Sequence, residues 1–225
     1  MHKQKIYLFF IMITSLFIIS CQKNHITYLH QAQIDALTPN DIWQFNQQIC
    51  EMEDHNAVLL RSNHPLQKRL NHITESLPKT VNNQTINYKI YVNPEPYAWS
   101  TLNGCVRLSS QIINILNDDE LKAALIHEIA HIKLQHSLAR FNQAKEIEVN
   151  TNGEMILVSP ATLMVEQELE ADNFAMQWLA NNHVNVYALL SMLDKLVDYQ
   201  KVTNSTHPQI SARKSNFFNK INKLR

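Results

Sequence analysis

The sequence predicts an α+β domain, mainly helical, with a small β-sheet beside one long apolar helix. Apolar residues recur at helical spacing through much of the chain, most densely from Leu121 to His136 and again after Glu166. Between Thr85 and Ser110 the period shortens to two. There Ile86, Tyr88, Ile90 and Val92 alternate, Pro94 and Pro96 interrupt, and Tyr97 to Leu102 faces Cys105 to Ser109 across a hairpin turn at Asn103-Gly104. At 225 residues the chain suits one domain with a proper core. Basic and acidic residues both number 20, so no basic surface argues for a nucleic-acid partner. With only 2 glycines, Gly104 and Gly153, a phosphate-cradling loop is excluded by inventory.

Taken in order, residues 1–20 carry Lys3 and Lys5 ahead of the apolar run Ile6 to Ser20. That run is shorter than the roughly 20 residues needed to span a bilayer and reads as a secretory signal. Ile18-Ile19-Ser20-Cys21 resembles a bacterial lipobox, which implies cleavage before Cys21, lipidation (palmitate) of that cysteine and attachment to a membrane through acyl chains. Gln22 stands where an Asp would signal inner-membrane retention, so the expected location is the bacterial envelope, on the outer membrane facing the periplasm. The alternatives are an ordinary membrane anchor and a soluble secreted form. Residues 21–38 then read as a polar tether and 39–225 as the folded domain.

Within that domain Ile42, Phe45, Ile49, Met52 and Leu59 or Leu60 mark one packing helix. A second runs from His64 to Leu77 behind an Asn63 cap, with Pro65 at its first position. His55, His64 and His72 have no partner at ligand spacing and read as surface or capping residues. Cys50 and Cys105, an even pair in an exported chain, suit a disulfide and two buried free thiols equally well.

The run Leu121 to His136 is a helix with Asn117 as N-cap and Glu120 at the capping-box position. His127 and His131, four apart, stack on one face, and Glu128 sits beside the first. This is the HExxH pattern, in which two imidazoles hold zinc and the carboxylate is the base that activates water there. Buried without partners, these groups would cost roughly 1–3 kcal/mol each. A bare HExxH also occurs as a core helix with satisfied histidines, so a third donor decides. Glu166-Gln-Glu-Leu-Glu-Ala-Asp172 opens a further helix in which Glu168 and Asp172 are four apart. Glu168 would complete a His, His, Glu set with an open fourth position, and Asp172 would accept the second N–H of a ligand histidine. The competing reading of this stretch is a solvated acidic first turn favoured by the helix dipole.

HEIAH followed by ELEADNFA resembles the gluzincin metallopeptidase family of the CAAX prenyl proteases, HtpX, BepA and LoiP, in its lipoprotein-anchored periplasmic form. The resemblance runs from about Tyr88 to Arg213. It implies a zincin-type domain with one Zn²⁺ per chain held by His127, His131 and Glu168, with Glu128 as catalytic base and Asp172 as the carboxylate behind a ligand. It also implies an edge strand at Ala98-Trp99-Ser100 that pairs with an extended polypeptide substrate. Trp99 reads equally as a pocket wall or a core residue. In Thr206-His207-Pro208 the resemblance makes His207 a catalytic group, an oxyanion donor or a cap on the open metal position, and Arg213 the partner of a site carboxylate. Without it, these residues read as a helix start with a solvated arginine.

Residues 137–162, with Ile147, Val149, Met155, Leu157 and Asn152-Gly153, suit a second hairpin or a mobile flap. After Asp172 the helix continues to a turn at Asn181-Asn182, and Val184 to Val202 forms another. The function these features predict is a zinc-dependent endopeptidase acting on misfolded or misassembled envelope proteins. The alternatives are a metal-binding periplasmic chaperone or scaffold without proteolysis and, more remotely, a solute-binding lipoprotein.

Overall fold

The computed structural model describes residues 27–144, 147–149, 155–157, 161–200 and 210–222. Residues 1–20, expected to be a secretory signal, Cys21, Asn152-Gly153 and His207 lie outside the described residues. The architecture is α+β and largely helical. Its elements are β1 (Thr27–Leu29), α1 (Gln31–Ile34), α2 (Pro39–Asn56), α3 (Pro65–Thr74), β2 (Thr80–Val81), β3 (Gln84–Thr85), β4 (Asn87–Tyr91), β5 (Ala98–Ser100), β6 (Cys105–Ser109), α4 (Ser110–Ile115), α5 (Asp118–Lys133), α6 (His136–Gln143), β7 (Ile147–Val149), β8 (Met155–Leu157), α7 (Ala161–Asn181), α8 (Tyr187–Gln200) and α9 (Ile210–Ile221). Among the described residues no helix is long and apolar enough to cross a membrane.

Helix α5 is the centre of the molecule, packed against α7, α8 and β5. Its start is set by the Asn117 side chain, which accepts from the Glu120 amide while Glu120 accepts from the Asn117 amide. Glu120 also accepts from Ser191 and Lys195 on α8, fastening that helix to the first turn of α5. Leu121, Leu125, Ile126 and Ile129 are all fully buried, each contributing about 1.5–3 kcal/mol of transfer free energy. From Ala123 to Ile132 every residue of α5 is buried, so the polar side chains of that stretch must find partners inside.

The sheet beside α5 has the order β4-β6-β5, with β4 parallel and β5 antiparallel to β6. The hairpin joining β5 and β6 turns at Gly104, whose φ is +87°. A Cβ there would meet the carbonyl oxygen of Thr85 at 2.5 Å, so both conformation and space call for glycine. Gly104→Ala is expected to destabilise the fold by about 2 kcal/mol, read as a lower denaturant midpoint with unchanged slope. An unmoved midpoint would contradict it.

Cys50 of α2 and Cys105 of β6 are joined by a disulfide, with Cα atoms 6.4 Å apart. The buried stripe of α2 is Ile42, Asn46 and Cys50, and the expected Phe45 and Ile49 only flank it. Asn46 can occupy the core because its amide donates to the Ile42 carbonyl and accepts from the Leu102 amide and Ser137 hydroxyl. One turn beyond Cys50, Asp54 takes a bidentate contact from Arg107 of β6 at 2.7 and 2.8 Å, and further bonds from Lys89 and Tyr91.

Several boundaries differ from expectation. Part of the expected tether is built into the fold: β1 pairs with β7, and Ile34 of α1 joins a small core with Ile42, Phe141, Ala144 and Ile147. His64, not Asn63, caps α3, its Nδ1 accepting from the Leu66 amide, and the helix stops at Thr74 rather than Leu77. Helix α5 ends at Lys133, because Gln135 adopts a left-handed φ of 56° and His136 opens α6 instead of closing α5. The segment left open between hairpin and flap holds α6 and the antiparallel pair β7 and β8. Helix α8, Tyr187–Gln200, starts three residues later than the expected Val184, and residues 201–202 lie outside the described residues.

Candidate metal centre

Helices α5 and α7 cross so that their buried polar residues meet. Helix α7 begins at Ala161, so the acidic stretch 166–172 lies within it and does not open it. That placement removes the solvated first turn: Glu168 and Asp172 are each only 1% exposed. His127 and His131 present their Nε2 atoms to each other at 3.1 Å. Glu168 completes a triangle, Oε2 lying 3.3 Å from His127 Nε2 and Oε1 lying 3.4 Å from His131 Nε2. These three residues offer donor atoms that all lie within 4.8 Å of one another.

The triangle is the right size for an ion. Bonds of about 2.0–2.1 Å opened to the tetrahedral angle put neighbouring donors about 3.3 Å apart. Charge agrees with size: Glu128, Glu168 and Asp172 against Arg213, all at most 3% exposed, carry a summed formal charge of −2, which a divalent cation would neutralise. Two imidazoles and a carboxylate are a donor set for such an ion.

Behind His127, Asp172 Oδ1 sits 2.9 Å from Nδ1, leaving Nε2 to face the triangle. Arg213 of α9 clamps the same carboxylate from Nε at 2.7 Å and Nη2 at 2.6 Å, and its Nη1 approaches Glu168 Oε2 at 3.2 Å. It is 3% exposed, not solvated. Burial alone would raise the Asp172 carboxyl, but the Arg213 charge and the bonds from Arg213 and His127 hold it below the usual carboxylate range. Burial and Arg213 push His127 towards neutrality; its bonds to Asp172 and Glu168 outweigh them and raise its pKa.

Strand β5 is an edge of its sheet, and Ser100 Oγ donates to the Glu128 carbonyl at 3.0 Å. A cavity of about 470 Å³ lies between β5, α5, α6 and α2, with Trp99, Ser100, Glu128, His131 and Arg140 among its walls. Trp99 is thus a cavity wall and only partly buried, its ring 6.3 Å from that of Tyr91.

Sequence reasoning missed His136. It is 3% exposed, its Nδ1 lies 2.8 Å from Nδ1 of His131, and its Nε2 lies 3.1 Å from Glu170 Oε2. Along an unbroken helix a residue five positions on points about 140° away. The left-handed turn at Gln135 brings it back, and no Gly or Asn announces that turn.

A family profile described as Peptidase U49 matches residues 42–224. The chain is 30% identical over 169 residues to "Metalloprotease YcaL" of Escherichia coli (strain K12), a match covering 67% of this chain and 66%, just under two thirds, of that protein. It is 24% identical over 207 residues to "Metalloprotease LoiP" of the same organism, covering 80% and 81% of the two chains.

Proposed function

The chain belongs to the peptidase U49 family, and on that footing we propose that it is a zinc-dependent endopeptidase with His127, His131 and Glu168 as metal ligands and Glu128 as catalytic base. The observation that carries this reading is the buried donor triangle with a glutamate next in sequence to its first imidazole, bordering the same cavity. The names of both relatives, metalloproteases, agree with it. Zinc held there would supply Lewis acidity, lowering the pKa of water and polarising a substrate carbonyl.

The chain's own residues do the rest. Glu128 takes a proton from the attacking water and passes it to the leaving amine. Asp172 keeps the His127 proton on Nδ1, and Arg213 holds Asp172 and Glu168 in place. His207, outside the described residues, is assigned to the oxyanion or the open coordination position. The edge strand β5 receives the polypeptide in extended form, backbone to backbone, with the cavity taking a side chain. Residues 1–20 as signal peptide, lipidation at Cys21, an outer-membrane position facing the periplasm, misassembled envelope proteins as substrates and the wider gluzincin kinship belong to the same proposal.

Full-length protein purified in detergent should bind one zinc per chain and cut casein to fragments. A strong chelator should abolish the cutting and added zinc restore it. Stoichiometric zinc without fragments would turn the reading to a non-proteolytic metal-binding chaperone. A chain that takes up no zinc would end both.

A further inference from the structure

We propose that His136 and Glu170 form a positioning relay for His131, so that each imidazole of the metal centre is held from behind by a carboxylate. Asp172 reaches His127 directly; Glu170 reaches His131 through His136. The relay rests on the reading of His127, His131 and Glu168 as metal ligands.

Hydrogen-bond logic fixes every proton once that reading is made. His131 turns Nε2 towards His127 and Glu168, so that nitrogen must carry its lone pair towards the ion and the ring proton sits on Nδ1. Nδ1–H then donates across 2.8 Å to His136 Nδ1, which must be the acceptor. His136 is therefore protonated on Nε2, where Glu170 Oε2 lies 3.1 Å away to accept. The opposite tautomers would leave His131 without a lone pair for the ion and set His136 Nε2 against a carboxylate with no proton between them.

The fold anchors this arrangement. His136 opens α6, and its carbonyl accepts from the Gln167 side chain, which accepts in turn from Arg140 Nε at 2.6 Å. Gln167 stands next to Glu168, so the helix that supplies the third donor also holds the backbone of the relay histidine. The two ends of the relay differ in weight. The His136 side chain is 3% exposed and meets His131 inside the protein, whereas the Glu170 side chain is 61% exposed and its charge is screened by water.

The test measures zinc affinity of the full-length protein by competition with a chromophoric chelator, with circular dichroism of each metal-free variant as a check on folding. His136→Leu is expected to weaken binding about 10–100-fold. His136→Asn, whose Oδ1 falls near the position of Nδ1, should recover most of that loss. Glu170→Ala should cost about threefold, and nothing further in the His136→Leu background. A purely structural role would lower the melting temperature without rescue by Asn and without this dependence on background. Should His136→Leu lose its fold, His136→Asn and the surface change Glu170→Ala decide, since wild-type affinity in Glu170→Ala would overturn the relay. One zinc per chain in the wild type and equal affinity in His136→Leu would sink the relay alone. No zinc in the wild type would sink the metal centre and the relay with it.

Discussion

Replacing Glu128 by Gln is expected to slow hydrolysis of an unfolded test protein by about a thousandfold while leaving zinc bound. Glutamine has the same shape and keeps the packing of a position only 2% exposed, but it cannot take up a proton. His131→Ala should lose metal and hydrolysis together, because it removes one corner of a triangle whose other two corners cannot hold an ion alone. Metal content separates the two variants, since neither should cut at an appreciable rate. A Glu128→Gln protein that digests casein at the wild-type rate would remove Glu128 from the chemistry.

The second large effect lies away from the metal. Asp54→Asn should destabilise the fold by about 3 kcal/mol, since Arg107, 2% exposed, would keep its charge in the interior after losing its bidentate partner. Burial by itself would raise the Asp54 carboxyl, yet Arg107, Lys89 and Tyr91 together hold it far below the ordinary value. The sign of the pH effect follows. A carboxyl with a depressed folded pKa contributes its full stability above the unfolded value of about 3.9 and loses it as pH falls further towards the folded value. Wild-type protein should therefore lose this part of its stability below about pH 4, and Asp54→Asn should lack that component of the acid limb. Urea midpoints at neutral and acid pH check both statements, and a neutral-pH loss under 1 kcal/mol would contradict the first.

What the sequence disclosed was whatever local chemistry determines. Asn117 and Glu120 mark the start of α5 because a capping box satisfies its own amides. Asn103-Gly104 marks the hairpin because a positive φ needs glycine there. The four-residue spacings of His127 with His131 and of Glu168 with Asp172 mark common faces, so the donor triangle could be assembled on paper. Its surroundings could not, because they depend on partners distant in sequence. Arg107 looks like an exposed strand residue until Asp54, 53 positions away, is seen against it. The start of α7 lies ahead of its expected place because the acidic run imitates a first turn and draws attention from the Ser159-Pro160 start signal just before Ala161. His136 was hidden by a left-handed glutamine, and the strand at Thr27–Leu29 by its dependence on β7.

The bond between Cys50 and Cys105 divides the chain topologically. Helix α3 and strands β2 to β5 lie inside a covalent ring spanning a sequence separation of 55, and helices α5 and α7, which carry the donor triangle, lie outside it. Closing such a ring removes on the order of 4 kcal/mol of freedom from the denatured chain, on an entropic account, and all of that restraint falls on the portion carrying the edge strand. Unravelling of the open portion leaves the two ends of the ring clasped. The edge strand thus has a covalent safeguard that the helices carrying the donor triangle do without.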